Sequence, residues 1–179
     1  MPGPIVQPGL RNISLGFVEF AWMASPALKI PDRPLTPRDL DNWPILMLSK
    51  TSNLYAQLER WFEESGAVGR RTDTCNSLSV LASWTISGLG IGYLPVEHFG
   101  RDIRAGRLRM VDVTPKLPDL EYVAALDRRH PQPLAQSVAE LAVTVSTFER
   151  RTQPPETQSG KAVAAVAARR RPAAKTRAR

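Results

Sequence analysis

The stretch that decides the fold is Cys75-Asn76-Ser77-Leu78-Ser79-Val80-Leu81-Ala82-Ser83-Trp84-Thr85-Ile86-Ser87-Gly88-Leu89-Gly90-Ile91-Gly92-Tyr93-Leu94-Pro95. Asn76 and Ser77 are short polar side chains suited to a helix N-cap, where an oxygen accepts from an otherwise orphaned backbone N–H. Leu78, Leu81, Ala82 and Ile86 follow with the spacing of one buried helical face. Gly88 suits the residue just past the helix, because glycine takes the left-handed conformation without a steric cost. Ile91, Tyr93 and Leu94 then predict a short buried strand that Pro95 ends. A helix passing this tightly into a strand belongs to α/β architecture.

Working outward, residues 1–12 hold three prolines and two glycines and predict an irregular lead-in. Residues 13–25, ISLGFVEFAWMAS, are rich in β-branched and aromatic residues and predict one extended strand. A proline-rich loop follows, then Thr36-Pro37-Arg38-Asp39, the start of a capped helix over 36–42. Pro44 to Leu48 predicts a strand, and Ser49 to Asn53 a polar turn into a helix with Leu54, Leu58, Trp61 and Phe62 on one face. Residues 70–75 and 108–113 predict strands, 96–105 a helix. The alternation predicts a mostly parallel sheet covered by helices. Past a stiff connector at 114–118, a strand at 120–126 leads to a helix over 132–150, with Leu134, Val138, Leu141, Val145 and Phe148 as an apolar stripe.

The formal charge of +7 comes from one end of the chain. Residues 150–179 carry nine Lys and Arg against Glu156, leaving 15 bases and 16 acids in residues 1–149. The tail is Ala-, Pro- and Arg-rich and predicts disorder. Its Arg169, Arg170, Arg171, Lys175, Arg177 and Arg179 could neutralise phosphates of a nucleic acid without reading its sequence, although such tails are usually only solvated. Cys75 stands alone, which excludes an intramolecular disulfide framework and fits a reducing compartment. The first residues have neither a basic start nor an apolar run, and no segment reaches 18 apolar residues, so the expectation is a soluble cytoplasmic protein.

The central stretch, with Ala21 to Pro26, Leu35 to Leu40, Pro44 to Ser49 and Gly106-Arg107-Leu108 leading into Glu121 to Leu126, resembles the effector-binding domain of LysR-type transcriptional regulators over about residues 9–150. The resemblance implies a two-lobed, periplasmic-binding-protein-like (type 2) α/β fold. Residues 13–113 would form the second subdomain, and 114–150 would cross back to an incomplete first one. A full regulator carries a winged helix-turn-helix, a linker helix and most of the first lobe ahead of residue 13, so the chain is expected to be a fragment. One strand and one helix make no independent core, and the returning helix is expected to be under-packed or to recruit a partner surface.

The resemblance also implies a small-molecule effector held in the interlobe cleft, with dimers and tetramers formed through this domain, and the paired polar helix starts suit a small acid, an anion, or another polar metabolite. Asn76 and Ser77 head a helix at the carboxyl end of a strand, where open α/β sheets bind ligands and where helix N–H groups favour an anion. Ser49, Lys50, Thr51, Ser52 and Asn53 form a second wall at the neighbouring strand end, Cys75 lies beside the first, and Trp22 is a candidate stacking surface. The plainer readings are capping for the serines and asparagine, a solvated turn, and core packing for Cys75 and Trp22.

His98 and His130 have no partners at metal spacing. No G-x-S-x-G, P-loop, H-E-x-x-H or C-x-x-C motif occurs, and Gly88 to Gly92 follows a helix and becomes a strand, the reverse of a phosphate loop. Neither an enzyme nor a cofactor is expected. The alternative function is a non-sensing remnant that pairs with an intact regulator or binds nucleic acid through the tail. A transport-type solute-binding protein of the same fold is disfavoured by the missing signal segment.

Overall fold

A computed structural model describes residues 2–67 and 71–150. In chain order they form strands β1 (Leu10–Val18), β2 (Phe20–Ala24) and β3 (Ile45–Leu48), helix α1 (Asn53–Glu64), β4 (Thr72–Cys75), α2 (Leu78–Ile86), β5 (Ile91–Pro95), α3 (Gly100–Arg104), β6 (Arg109–Met110), β7 (Leu120–Asp127) and α4 (Pro133–Val145). A five-stranded sheet runs β4-β3-β5-β2-β6, and β1 pairs with β7 in a separate antiparallel ribbon.

The central stretch folds as its pattern predicts. Ser77 Oγ accepts from the Val80 N–H, Leu81 and Ala82 are buried, and Gly88 has φ +76° at the helix exit. Gly90 lets β5 enter the sheet, since a Cβ there would strike the carbonyl oxygen of Pro44. All five residues of β5 are buried. A strand buried on both faces must be hydrophobic throughout, which the Ile-Gly-Tyr-Leu-Pro run satisfies.

The sheet is mixed, a correction to the mostly parallel expectation. β3 runs parallel to β4 and β5, whereas β2 runs antiparallel to both β5 and β6. The expected single strand over 13–25 is two strands in two sheets, broken at Glu19, where the chain crosses from ribbon to sheet. Residues 111–119 make the crossing back. The expected helix over 36–42 is a 3₁₀ turn at Asp39–Asn42; Thr36 and Asp39 still cap each other, through the Thr36 N–H to Asp39 Oδ2 at 2.7 Å and the Asp39 N–H to Thr36 Oγ1 at 3.3 Å. The helix expected over 96–105 is only α3, and the strand over 108–113 only β6. The lead-in is tied down as well: the Gly3 N–H donates to the Glu121 carbonyl at 2.9 Å.

Two apolar clusters cover the five-stranded sheet. On one face Trp22, Tyr93, Leu54, Leu58, Trp61 and Phe62 gather, and Leu120 continues the cluster toward the ribbon. Met23, Leu46, Leu81, Leu94, Phe99 and Leu108 fill the other. β2 supplies both, since alternate residues of a strand point to opposite faces.

α4 lies against the ribbon differently from the expectation. Its buried residue is Ala139, whereas Leu134, Val138, Leu141 and Val145 are 78, 57, 61 and 66% exposed. The helix ends at Val145, and Phe148, expected on the same stripe, packs its ring on Tyr122 at 5.3 Å. Small side chains let the helix approach the ribbon and leave the larger apolar ones outward. The basic tail residues Arg169 to Arg179 lie outside the described residues.

Candidate functional site

Leu48 stands directly beside Cys75 in the parallel register of β3 and β4. The turn leaving β3 and the bend leaving β4 therefore emerge side by side at one end of the sheet, and α1 and α2 both begin there. That placement brings together eight sequence-predicted residues: Ser49, Lys50, Thr51, Ser52, Asn53, Cys75, Asn76 and Ser77.

Within this group most polar atoms are committed to holding the turns. Ser52 Oγ accepts from the Leu54 N–H at 3.2 Å and Ser77 Oγ from the Val80 N–H at 3.4 Å, so both serines are helix caps. Ser49 and Thr51 share a hydroxyl contact of 3.0 Å, and Cys75 Sγ donates to the Ser77 carbonyl at 3.2 Å. Asn53 Nδ2 donates to the Pro2 carbonyl at 3.1 Å. Lys50 and Asn76 remain exposed, and neither side chain makes a hydrogen bond or ion pair with another described residue. Chemically, the arrangement is two helix N-termini at neighbouring strand ends with an ammonium group on the turn between β3 and α1. Such a surface favours a carboxylate or phosphate.

Trp22 is not part of that surface. It is 4% exposed, paired with Tyr93 in the sheet, and its ring lies 5.0 Å from Tyr93, 5.7 Å from Trp61 and 5.7 Å from Phe62. The stacking role expected of Trp22 concerned the crossing between lobes, and there the residue packs among three aromatic rings and also lines a hollow. Its Nε1 is buried without a hydrogen-bond partner among the described residues.

Two hollows lie elsewhere. One of 640 Å³ opens between the far end of the ribbon and the start of α4, beside Arg11, Arg128 and His130. Asp127 in its wall is occupied by the Arg129 N–H, His130 and the Arg129 side chain, which hold its pKa down at about 2. The other, of 380 Å³, lies between the two crossings, over Phe20 and Tyr93. Neither was signalled by a motif, since each joins residues far apart in the chain. The Pro2 carbonyl at the candidate site was equally invisible, 51 positions from the Asn53 it meets. Among the described residues no cluster of His, Cys, Asp and Glu could hold a metal ion, and no helix is long and apolar enough to cross a membrane.

Comparison with known proteins adds a family to this geometry. The family model described as "LysR substrate binding domain" matches residues 1–146. No curated protein matches by sequence. Among solved structures, the apo regulatory domain of HypT from Salmonella typhimurium is similar with a TM-score of 0.63 at 17% identity, covering 79% of this chain and 67% of that one. The effector binding domain of QuiR in complex with shikimate gives 0.64 at 14% identity, covering 80% and 69%. The CcmR regulatory domain from Synechocystis in complex with 2-PG gives 0.67 at 12%, covering 82% and 72%. The chain thus spans roughly two thirds of the length of these domains.

Proposed function

Because the chain belongs to the LysR substrate binding domain family, we propose that it is a ligand-sensing regulatory domain whose pair of turns, 49–53 and 75–77, holds a small anionic metabolite. The fold is the periplasmic-binding-protein-like (type 2) fold of LysR regulatory domains. What supports the site is the register that sets Leu48 beside Cys75, so that α1 and α2 start from neighbouring strand ends. Lys50 supplies the charge, Asn76 an amide, and the unpaired N–H groups of the first helical turns the remaining donors.

In this reading Ser52 and Ser77 act at one remove. Each shapes a helix start through its cap and does not itself grip the ligand. Occupancy works by population shift: a ligand that contacts one arrangement of the lobes better than another raises that arrangement's share. In a regulator with DNA-binding domains, that share would be transmitted to transcription through dimers or tetramers. The setting is the cytoplasm, and the site performs no chemistry on what it binds. Residues 13–113 serve as the sensing subdomain and 114–150 as the return toward the other lobe.

QuiR binds shikimate and CcmR binds 2-PG in the solved complexes. Both serve as first probes here, with a panel of other small carboxylates and phosphates. Calorimetric titration of the full chain is expected to find at least one that binds, with affinity reduced about three- to tenfold in Lys50→Gln as a charge-assisted contact is lost. A panel with no binder, or a binder indifferent to Lys50→Gln and Asn76→Ala alike, would remove the proposal.

One observation favours a second reading. The outward face of α4 carries four apolar side chains more than half exposed, and a helix apolar on both faces normally has both covered. The chain would then pair with an intact member of its family without sensing anything. Co-purification with such a regulator, abolished by Leu134→Glu and Leu141→Glu and unaffected by the metabolite panel, is the outcome that distinguishes it.

A further inference from the structure

The 380 Å³ hollow sits where both crossings between sheet and ribbon meet. Glu19 comes from the first crossing and Asp112, Lys116 and Asp119 from the second. Its floor is apolar, made by Phe20, Tyr93, Val111, Val113 and Leu117. The crossings are held in place: the Val96 N–H donates to the Glu19 carbonyl at 3.0 Å, Trp61 Nε1 to the Pro115 carbonyl at 3.1 Å, and the Leu35 N–H to the Asp112 carbonyl at 2.9 Å. The hollow is therefore a shaped feature of the packed half of the molecule.

Tyr93 gives the hollow its chemistry. The residue is 6% exposed and lines the hollow, and its hydroxyl forms no hydrogen bond with any described residue. Burial, and after it the charges of Asp119 and Glu19, push the phenol's pKa well up, so it stays a neutral donor or acceptor. Three carboxylates line the space against the one ammonium of Lys116. Among the described residues the side chains of Glu19 and Asp112 make no ion pair. An anion would meet the carboxylates of Glu19 and Asp112 here. A compact cation with an apolar body would set its ammonium among the carboxylates, within reach of the Tyr93 hydroxyl, and its body on the aromatic floor.

We propose that this hollow is a second binding site, for a small organic ammonium ion, independent of the anion site at the strand ends. The floor matches a short alkyl or aryl group, and the acidic wall supplies the selectivity for positive charge. Because both crossings contribute, a bound cation touches each of the two segments that join sheet to ribbon.

The test titrates 2-phenylethylammonium into the isotope-labelled full chain, with 2-phenylethanol as its neutral counterpart and phenylacetate as its anionic one. NMR shifts of the Met110 methyl, the Trp22 indole N–H and the Tyr93 ring report on the hollow. Saturable shifts at these groups for the ammonium are expected, with affinity falling about fivefold in the exposed double variant Glu19→Gln/Asp112→Asn, in line with partly solvated charge pairs. Tyr93→Phe is expected to weaken binding by about two- to threefold through the lost hydroxyl contact. An unchanged thermal midpoint in the double variant separates lost binding from lost folding. Equal binding of the neutral alcohol, tighter binding of phenylacetate, or shifts confined to residues 49–53 and 75–77 would overturn the assignment. Failure at the strand-end site leaves this result standing, because the two sites share no residue.

Discussion

The two halves of this molecule use the same kinds of residue and reach different degrees of closure. The five-stranded sheet is covered on both faces, with Met23, Leu46, Leu81 and Leu94 on one side and Trp22, Trp61, Phe62 and Tyr93 on the other. The ribbon of β1 and β7 has α4 along it, and that helix keeps Leu134, Val138, Leu141 and Val145 in solvent. Burial of apolar area is the main stabilising term in folding, at roughly 25 cal/mol per Å². The first half collects it on two faces and the second on one. The difference teaches that apolar periodicity establishes a helix and leaves open what covers it.

The largest expected effect is in the packed half. Trp22→Ala removes a ring in contact with three other aromatic rings and should cost about 3–5 kcal/mol of stability. Leu141→Ala, an apolar truncation on the open helix face, should lie within about 0.5 kcal/mol of the parent. Urea denaturation of both variants measures the contrast. Comparable losses would show that the α4 face is covered in solution.

Next comes amide exchange. The N–H groups of β3 and β5 should exchange only through global unfolding, and those of α4 and the outer end of the ribbon through smaller openings. Uniform protection across the chain would erase the distinction. A smaller effect is expected from Ser77→Ala, about 1 kcal/mol for the lost cap on α2, read as a shifted urea midpoint.

Acid should treat the halves alike. Asp39 in the packed half is held down at about 2 by the Thr36 N–H, the Thr36 hydroxyl and Arg33. Asp127 on the ribbon is held at about 2 by the Arg129 N–H, His130 and the Arg129 side chain. A carboxylate whose folded pKa is depressed contributes its full share above its unfolded value, near 3.9. The share then disappears as pH falls through about 2. NMR titration of the two side chains should place both midpoints well below 3.9; a normal midpoint at either would mean that its hydrogen bonds are open in solution.

Much of this was legible along the chain because it is local. The cap at Ser77, the glycine at 88 and the buried strand 91–95 are encoded within a few residues of where they act. So is the face Leu54, Leu58, Trp61, Phe62 of α1. What the sequence hid is long-range. Glu19 interrupts a β-rich run and sends its two parts to different sheets, which no propensity discloses. The antiparallel placement of β2 depends on pairing with residues some 70 positions away. On α4, alanines and larger apolar residues alternate around the axis, so period alone could not say which face packs. Of the candidate site, the two turns were visible and their adjacency was an inference from strand order. Trp22 was ambiguous because a strand tryptophan looks the same whether it lines a cleft or fills a core.

The most direct test of the central claim is an amide-shift map of the full labelled chain titrated with shikimate, 2-PG and the small-carboxylate panel. The account predicts that a binding anion perturbs residues 49–53 and 75–78 together, as one saturable event with a single affinity. Perturbation of only one of the two turns, or of a surface remote from both, would contradict it.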